Sequence, residues 1–313
     1  MSVPGPGVDP DDPSFDYDEM SYFEENCREY GLAPSDDVVV ERVAHRLADG
    51  RTMSALRWGT DSPAVVLVHG GAQNAHTWDT VALALRPVSF LAVDLPGHGH
   101  SSWREDRRYD PFSAAEDLAS TIVELAPGAR SVVGMSLGGL TSIALSARTD
   151  LVDRLLLVDI TPGVNAEKAK VVHDFIAGPQ SFGSFAEIFA RTVQFNPTRT
   201  PESLRRGILH NAHRTRGGSW EWNYDRRPLV TGTEGDVMGD FRGPALWDGV
   251  STTAATILLA RGALSPVVDD DDVAELARRR PDARVVVVEG AGHSIQGDRP
   301  IELAALIREE LRL

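Results

Sequence analysis

Ser136 is the residue of this chain best placed to do chemistry. It stands in Ser131-Val132-Val133-Gly134-Met135-Ser136-Leu137-Gly138-Gly139-Leu140, an apolar run that meets a serine between glycines and continues with helix-forming residues. Glycines two before and two after Ser136 let a buried strand turn sharply into a helix, because a side chain there would collide with neighbouring backbone. The serine then sits at the apex of a strained turn. Backbone N–H groups at the start of the helix face whatever it attacks, which suits negative charge developing on a carbonyl oxygen. In a chain with 28 glycines the same residues also read as a plain glycine-rich turn, so a base must be found elsewhere. Glu289-Gly290-Ala291-Gly292-His293-Ser294 supplies one. His293 lies among small residues just past an apolar strand, and such a loop reaches the carboxyl edge of a parallel sheet, where ligands bind. A base within hydrogen-bond reach of a serine turns a weak nucleophile into a useful one.

The elements that must carry these residues are legible in the hydrophobic pattern. Val38–Leu47 and Thr52–Trp58 read as a hairpin joined through Asp49-Gly50. From Ala64 on, buried strands alternate with helices: Ala64–Val68, a helix from Trp78 to Arg86, Ser89–Val93, a helix from Ser113 to Leu125, the strand into Ser136, its helix to Arg148, and Arg154–Val158. Short connections between such elements imply right-handed crossovers and a parallel sheet covered on both faces. Between Pro162 and Ser251 the rhythm breaks into amphipathic helical segments, Glu167–Ile176, Phe185–Phe195 and Pro201–His213, with the aromatic residues Trp220, Trp222, Tyr224 and Trp247 and no clear buried strand. That insertion reads as a helical lid. Thr256–Ala260, a helix from Asp269 to Arg280, Arg284–Val288 and a final helix from Pro300 to Leu311 complete the core. The expected organisation is an acidic extension over 1–35, a core over 36–162 and 251–313, and a lid over 163–250. The Pro/Asp-rich first half of the extension reads as a solvated tail, leading into a short helix around Tyr22–Tyr30.

Composition narrows the function classes. The 313 residues are 42% hydrophobic, enough to bury a large core. A formal net charge of −15 opposes non-specific binding to nucleic acid or to an anionic membrane. No apolar run approaches the roughly 18 residues of a membrane span, and the acidic amino terminus is unlike a signal peptide, so a cytoplasmic protein is expected. The single cysteine, Cys27, cannot form an internal disulfide and lies far from any turn signal.

Taken in order, His69-Gly70-Gly71, Asp94-Leu95-Pro96-Gly97-His98-Gly99, Gly134-Met135-Ser136-Leu137-Gly138-Gly139 and Gly290-Ala291-Gly292-His293 make this chain resemble the α/β-hydrolase superfamily over roughly residues 38–313. The resemblance implies an α/β fold with a mostly parallel eight-stranded sheet, helices on both faces and a helical lid. It implies a serine nucleophile, Ser136, with His293 as base. It also implies an oxyanion hole from the backbone N–H groups of Leu137 and Gly71, with Ala72 as a substitute donor. His69 would orient the oxyanion loop, and Asp94 would stabilise a turn.

The acid is where this chain departs from the family's usual pattern. Most members carry it after the strand that here is Thr256–Ala260, yet Ser265 and Pro266 occupy the expected positions, and neither orients an imidazole as a carboxylate does. A minority, including pancreatic-type lipases and some lactone hydrolases, carries it one strand earlier, at the position of Asp159. The resemblance therefore points to Asp159, with the acidic run Asp269–Asp272 as the alternative. Four aspartates at a helix start are also favourable against its dipole, and Asp159 would also serve as a cap for the turn into Thr161-Pro162.

Together these features imply a serine hydrolase cleaving a carboxylic ester or lactone through an acyl-enzyme. The rival readings are a carbon–carbon bond hydrolase on a β-diketone-type substrate and a low-turnover ligand receptor on the same scaffold. Serine at the nucleophile position argues against haloalkane dehalogenase and epoxide hydrolase chemistry, whose enzymes place an aspartate there. No cofactor is implied. His210 and His213 lie three apart on an expected lid helix without a cysteine or carboxylate constellation, so no metal site is expected. Trp222 and Trp247 could line an acyl pocket for an apolar small-molecule substrate or pack the lid on the sheet. The lid helices could also pair two copies into a homodimer.

Overall fold

The computed structural model describes residues 9–225 and 243–312. Helix α1 (Phe23–Tyr30) precedes a hairpin of β1 (Val40–Arg46) and β2 (Thr52–Trp58), after which β3 (Val65–Val68), α2 (Asp79–Leu85), β4 (Phe90–Val93), α3 (Pro111–Leu125), β5 (Ser131–Met135), α4 (Leu137–Ser146) and β6 (Arg154–Val158) alternate. A turn of 3-10 helix, Ala75–Trp78, leads into α2. Next come α5 (Lys170–Ile176), β7 (Ser181–Phe182), α6 (Phe185–Phe195), α7 (Pro201–Asn211), β8 (Ala212–Arg214), β9 (Trp220–Trp222) and α8 (Gly243–Thr252). The chain closes with β10 (Thr256–Gly262), α9 (Asp270–Arg279), β11 (Arg284–Val288), α10 (Ile295–Asp298) and α11 (Pro300–Leu311).

Eight strands form one sheet in the order β1-β2-β4-β3-β5-β6-β10-β11. β1, β2 and β4 pair antiparallel, and every pair from β4 to β11 is parallel. The parallel strands β3 to β6 are buried apolar runs because helices cover both faces, whereas the edge strand β11 is only partly covered. One apolar core lies on the side of α3, α4, α8 and α9, and a second lies on the side of α1, α2 and α11. Local chemistry agrees with the element starts: Asp110 caps α3 ahead of Pro111, Ser184 caps α6, Thr200 caps α7 ahead of Pro201, and Asp269 with Asp272 forms a capping box on α9.

Three regions differ from expectation. The segment after β6 contains a small three-stranded sheet, β7-β9-β8. The expected helix Pro201–His213 stops at Asn211 because Ala212 and Arg214 pair with Trp222 and Trp220 across the hairpin. α8 packs against α4 and α9 beside the large sheet, so the chain has rejoined the core before residue 251. The described part of the amino-terminal extension is docked. Asp11 accepts hydrogen bonds from Phe185 N and Trp220 Nε1, Tyr17 O–H meets His210 Nδ1 at 2.7 Å, and Glu19 pairs with Arg42 at 2.7 Å. Residues 1–8 of the extension and 226–242 of the expected lid lie outside the described residues.

Candidate active site

Parallel register brings the functional side chains to one edge of the sheet. Met135 pairs with Val158, Val158 with Ala260, and Gly262 with Val288, so the segments following β5, β6, β10 and β11 emerge side by side. Ser136 stands at the first of these exits with φ +50° and ψ −120°, a conformation an L-residue adopts only when its surroundings impose it. The flanking glycines are required by contact. A Cβ at Gly134 would lie 2.6 Å from Gly138 O, and one at Gly138 would be driven into the carbonyl oxygens of Val68 and His69.

Asp159, at the second exit, is wholly buried, with φ +51°. Its Oδ1 accepts from Gly262 N at 2.8 Å, and its Oδ2 accepts from His293 Nδ1 at 2.8 Å and from the Ser265 hydroxyl. With its proton held on Nδ1, His293 keeps the Nε2 lone pair for another partner. His293 and Ser136 line the same cavity of about 240 Å³, whose walls are largely apolar side chains: Val171, Val172, Phe175, Ile176, Phe195 and Leu264.

The loop after β3 forms the opposite wall. His69 accepts from Leu95 N at 2.9 Å through Nε2 and donates through Nδ1 to Gly70 O at 2.7 Å, and His98 does the same between Ala72 N at 3.0 Å and Pro96 O at 3.0 Å. Burial holds both imidazoles neutral: His69 falls to about 3 and His98 is lowered in the same direction. The His98 bond occupies the Ala72 amide, which removes Ala72 as a spare donor. Among the described residues the Gly71 amide, on the cavity wall, and the Leu137 amide, in the first turn of α4, have no hydrogen-bond partner. Asp94 accepts from Ala75 N at 2.8 Å and His100 N at 3.1 Å and pairs with Arg42 at 2.9 Å, a turn-stabilising carboxylate as expected.

The remaining candidates are not brought to Ser136. Asp269 and Asp272 cap α9 and pair with Lys168 at 2.9 and 2.8 Å, whereas the carboxylate bonded to His293 is Asp159. Trp247 is packed in the core beside Ile143 and Val250 with Arg279 over its ring, and does not line the cavity. Trp222 stacks among Phe175, Phe182 and Tyr224 and lines a neighbouring cavity. Ser265, set aside in the sequence because a hydroxyl cannot replace a carboxylate, instead donates to Asp159. Its signal was positional, since it stands where the acid of most relatives would be. Phe175 was hidden within a helix of lid type, where nothing marks which face meets the cavity.

Strand order, nucleophile turn and sheet-edge geometry together define an α/β hydrolase, and a model of the alpha/beta hydrolase family matches residues 65–306; the chain belongs to this family. Esterase Rv0045c of Mycobacterium tuberculosis is 44% identical over 307 residues, covering 95% of this chain and 97% of that protein. A solved structure of that esterase, from work on its inhibition by transition metals, aligns with a TM-score of 0.82 over 95% of this chain and 99% of that one. The 2-(acetamidomethylene)succinate hydrolase of Mesorhizobium japonicum is 26% identical, covering 82% of this chain and 91% of that protein. Among the described residues no helix is long and apolar enough to cross a membrane.

Proposed function

We propose that this chain is a serine-type carboxylic ester hydrolase working through an acyl-enzyme. The observation that carries the proposal is the pairing of His293 Nδ1 with the fully buried Asp159 at 2.8 Å, on the wall of the cavity that also holds Ser136. Ser136 Oγ attacks the ester carbonyl while His293 Nε2 takes its proton, and the Gly71 and Leu137 amides donate to the resulting oxyanion. The tetrahedral intermediate expels the alcohol, which receives the proton from His293. Water then attacks the acyl-enzyme with the same base, releasing the acid and returning the proton to Ser136. Asp159 holds the imidazole tautomer, and Gly262 N and Ser265 hold Asp159.

Apolar walls around the 240 Å³ cavity suit an apolar acyl group of modest length or a small lactone, a cyclic ester opened by the same steps. The 44% identity to an esterase over nearly the whole chain supports ester cleavage over carbon–carbon bond hydrolysis or mere ligand binding. A series of nitrophenyl esters of increasing acyl length, run beside small lactones, tests the reading. Wild-type protein should turn over the short to medium esters, and Ser136→Ala should lose about 10⁴-fold or more in kcat with the fold intact. Retained turnover in that variant overturns the assignment.

A further inference from the structure

Beside the active-site cavity lies a second one of about 130 Å³, into which His76, Asp79 and His210 converge from the 3-10 turn, the start of α2 and lid helix α7. One ligand-capable atom from each lies within 4.8 Å of the others. The three side chains belong to residues only 8%, 3% and 8% exposed. Asp79 Oδ2 is 2.9 Å from His76 Nδ1 and 3.8 Å from His210 Nε2, and donors on one tetrahedral zinc stand about 3.3 Å apart by bond length. Among the described residues Asp79 Oδ1 and His210 Nε2 have no hydrogen-bond partner. Buried polar atoms left in that state are costly and point to a partner that is not part of the chain.

We propose that His76, Asp79 and His210 form a binding site for a d-block divalent cation such as Zn²⁺. Two imidazoles and one carboxylate suit Zn²⁺, Co²⁺ or Ni²⁺ and disfavour Mg²⁺ and Ca²⁺, which require oxygen ligands. The Tyr17 hydroxyl oxygen, 2.7 Å from His210 Nδ1, is the outer partner: by accepting from Nδ1–H it leaves the Nε2 lone pair for the ion. Glu19 Oε2, 3.2 Å from His76 Nε2, holds that nitrogen's proton and offsets the charge of Arg42, whose Nη2 lies 3.4 Å from it, and the ion replaces the proton that His76 Nδ1 shares with Asp79 Oδ2, which leaves to solvent. The two rings are stacked at 4.0 Å and 7°, so His210 must tilt out of the stack to aim its lone pair at the ion. The sequence concealed the site, because the neighbour that invited comparison, His213, lies on β8 and bonds to Asn223.

Ala72, Gln73, Phe175, Asn196 and Ser294 line both cavities, so an ion here ties α7 to the core at the shared wall. The test is titration of chelator-treated full-length protein with Co²⁺, followed by its visible ligand-field absorption and by displacement with Zn²⁺. One Co²⁺ per chain should bind and persist in His293→Ala, Mg²⁺ should not compete, and His210→Gln and Asp79→Asn should each weaken binding more than the roughly 10–100-fold typical of losing an outer-shell partner. Circular dichroism checks that each variant is folded, and either folded variant is sufficient. The proposal is overturned by absence of saturable Co²⁺ binding, by competition from Mg²⁺, or by binding that survives in the folded variants and is lost in His293→Ala.

Discussion

Two histidine–aspartate pairs in this molecule have nearly the same length, His293–Asp159 at 2.8 Å and His76–Asp79 at 2.9 Å, yet their surroundings differ. Asp159 is saturated by a backbone amide and a serine hydroxyl, and His293 has one nitrogen committed and the other facing a cavity it shares with a strained serine. In the second pair His76 meets a carboxylate at each nitrogen, Asp79 at Nδ1 and Glu19 at Nε2, so Nδ1 offers a lone pair only to a partner that displaces the proton shared with Asp79, and Asp79 keeps an unpartnered oxygen. A dyad is thus not a base by virtue of its length. What matters is which lone pair is left over and what stands in front of it.

The sharpest way to break that contrast is Asp159→Asn, which should lower kcat on a nitrophenyl ester by about 10⁴-fold because the imidazole loses its tautomer. If Asp269→Asn or Asp272→Asn has that effect and Asp159→Asn does not, the proposed acid is wrong. Trp247→Ala separates packing from substrate contact. It should cost about 3–5 kcal/mol in denaturant unfolding, as a large core truncation does, with KM hardly changed. A KM rise with stability intact would return Trp247 to the pocket. Ser265→Ala removes a hydroxyl donor to Asp159 and should cost about 1.5–3 kcal/mol, read as a kcat/KM loss of roughly 10–100-fold, because the bond is to a charged group. The smallest effect at any one pH step concerns His69 and His98, neutral in the fold through burial. Their folded values lie below the unfolded value of about 6.5, so the stability they contribute is present above that pH and is lost as pH falls toward the folded value, about 3 for His69. Between those two values His69 contributes up to about 1.4 kcal/mol per pH unit to the slope, with His98 acting in the same direction, and a His69→Gln variant should show a shallower acid branch in chemical denaturation.

Much of the core was legible because its signals are local. β2, β6, β11 and α11 keep their expected bounds, since β6 and β11 show as apolar runs, β2 follows the Asp49-Gly50 turn signal and α11 starts at a proline. The lid was less legible. β7, β8 and β9 hold two or three residues each, too few for any alternation to show, and they exist because they pair with one another and enclose Phe185, Leu204 and Ile208. The amino-terminal segment misled for a related reason. Its acidic, proline-rich composition reads as solvated, but Asp11, Tyr17 and Glu19 find partners that lie far along the chain.

The sequence alone determined the sharp turn at Ser136, because the strand-to-helix bend depends on the glycines of Gly134–Gly139. It also determined the order of the elements that carry Ser136 and His293. Tertiary structure decided the rest. That Asp159 and not Asp269–Asp272 bonds to His293, that Trp222 and not Trp247 lines a cavity, and that His76 and Asp79 meet His210 all turn on contacts between segments far apart in the chain. Such contacts follow from strand register and helix packing, and neither leaves a mark on the residue types themselves.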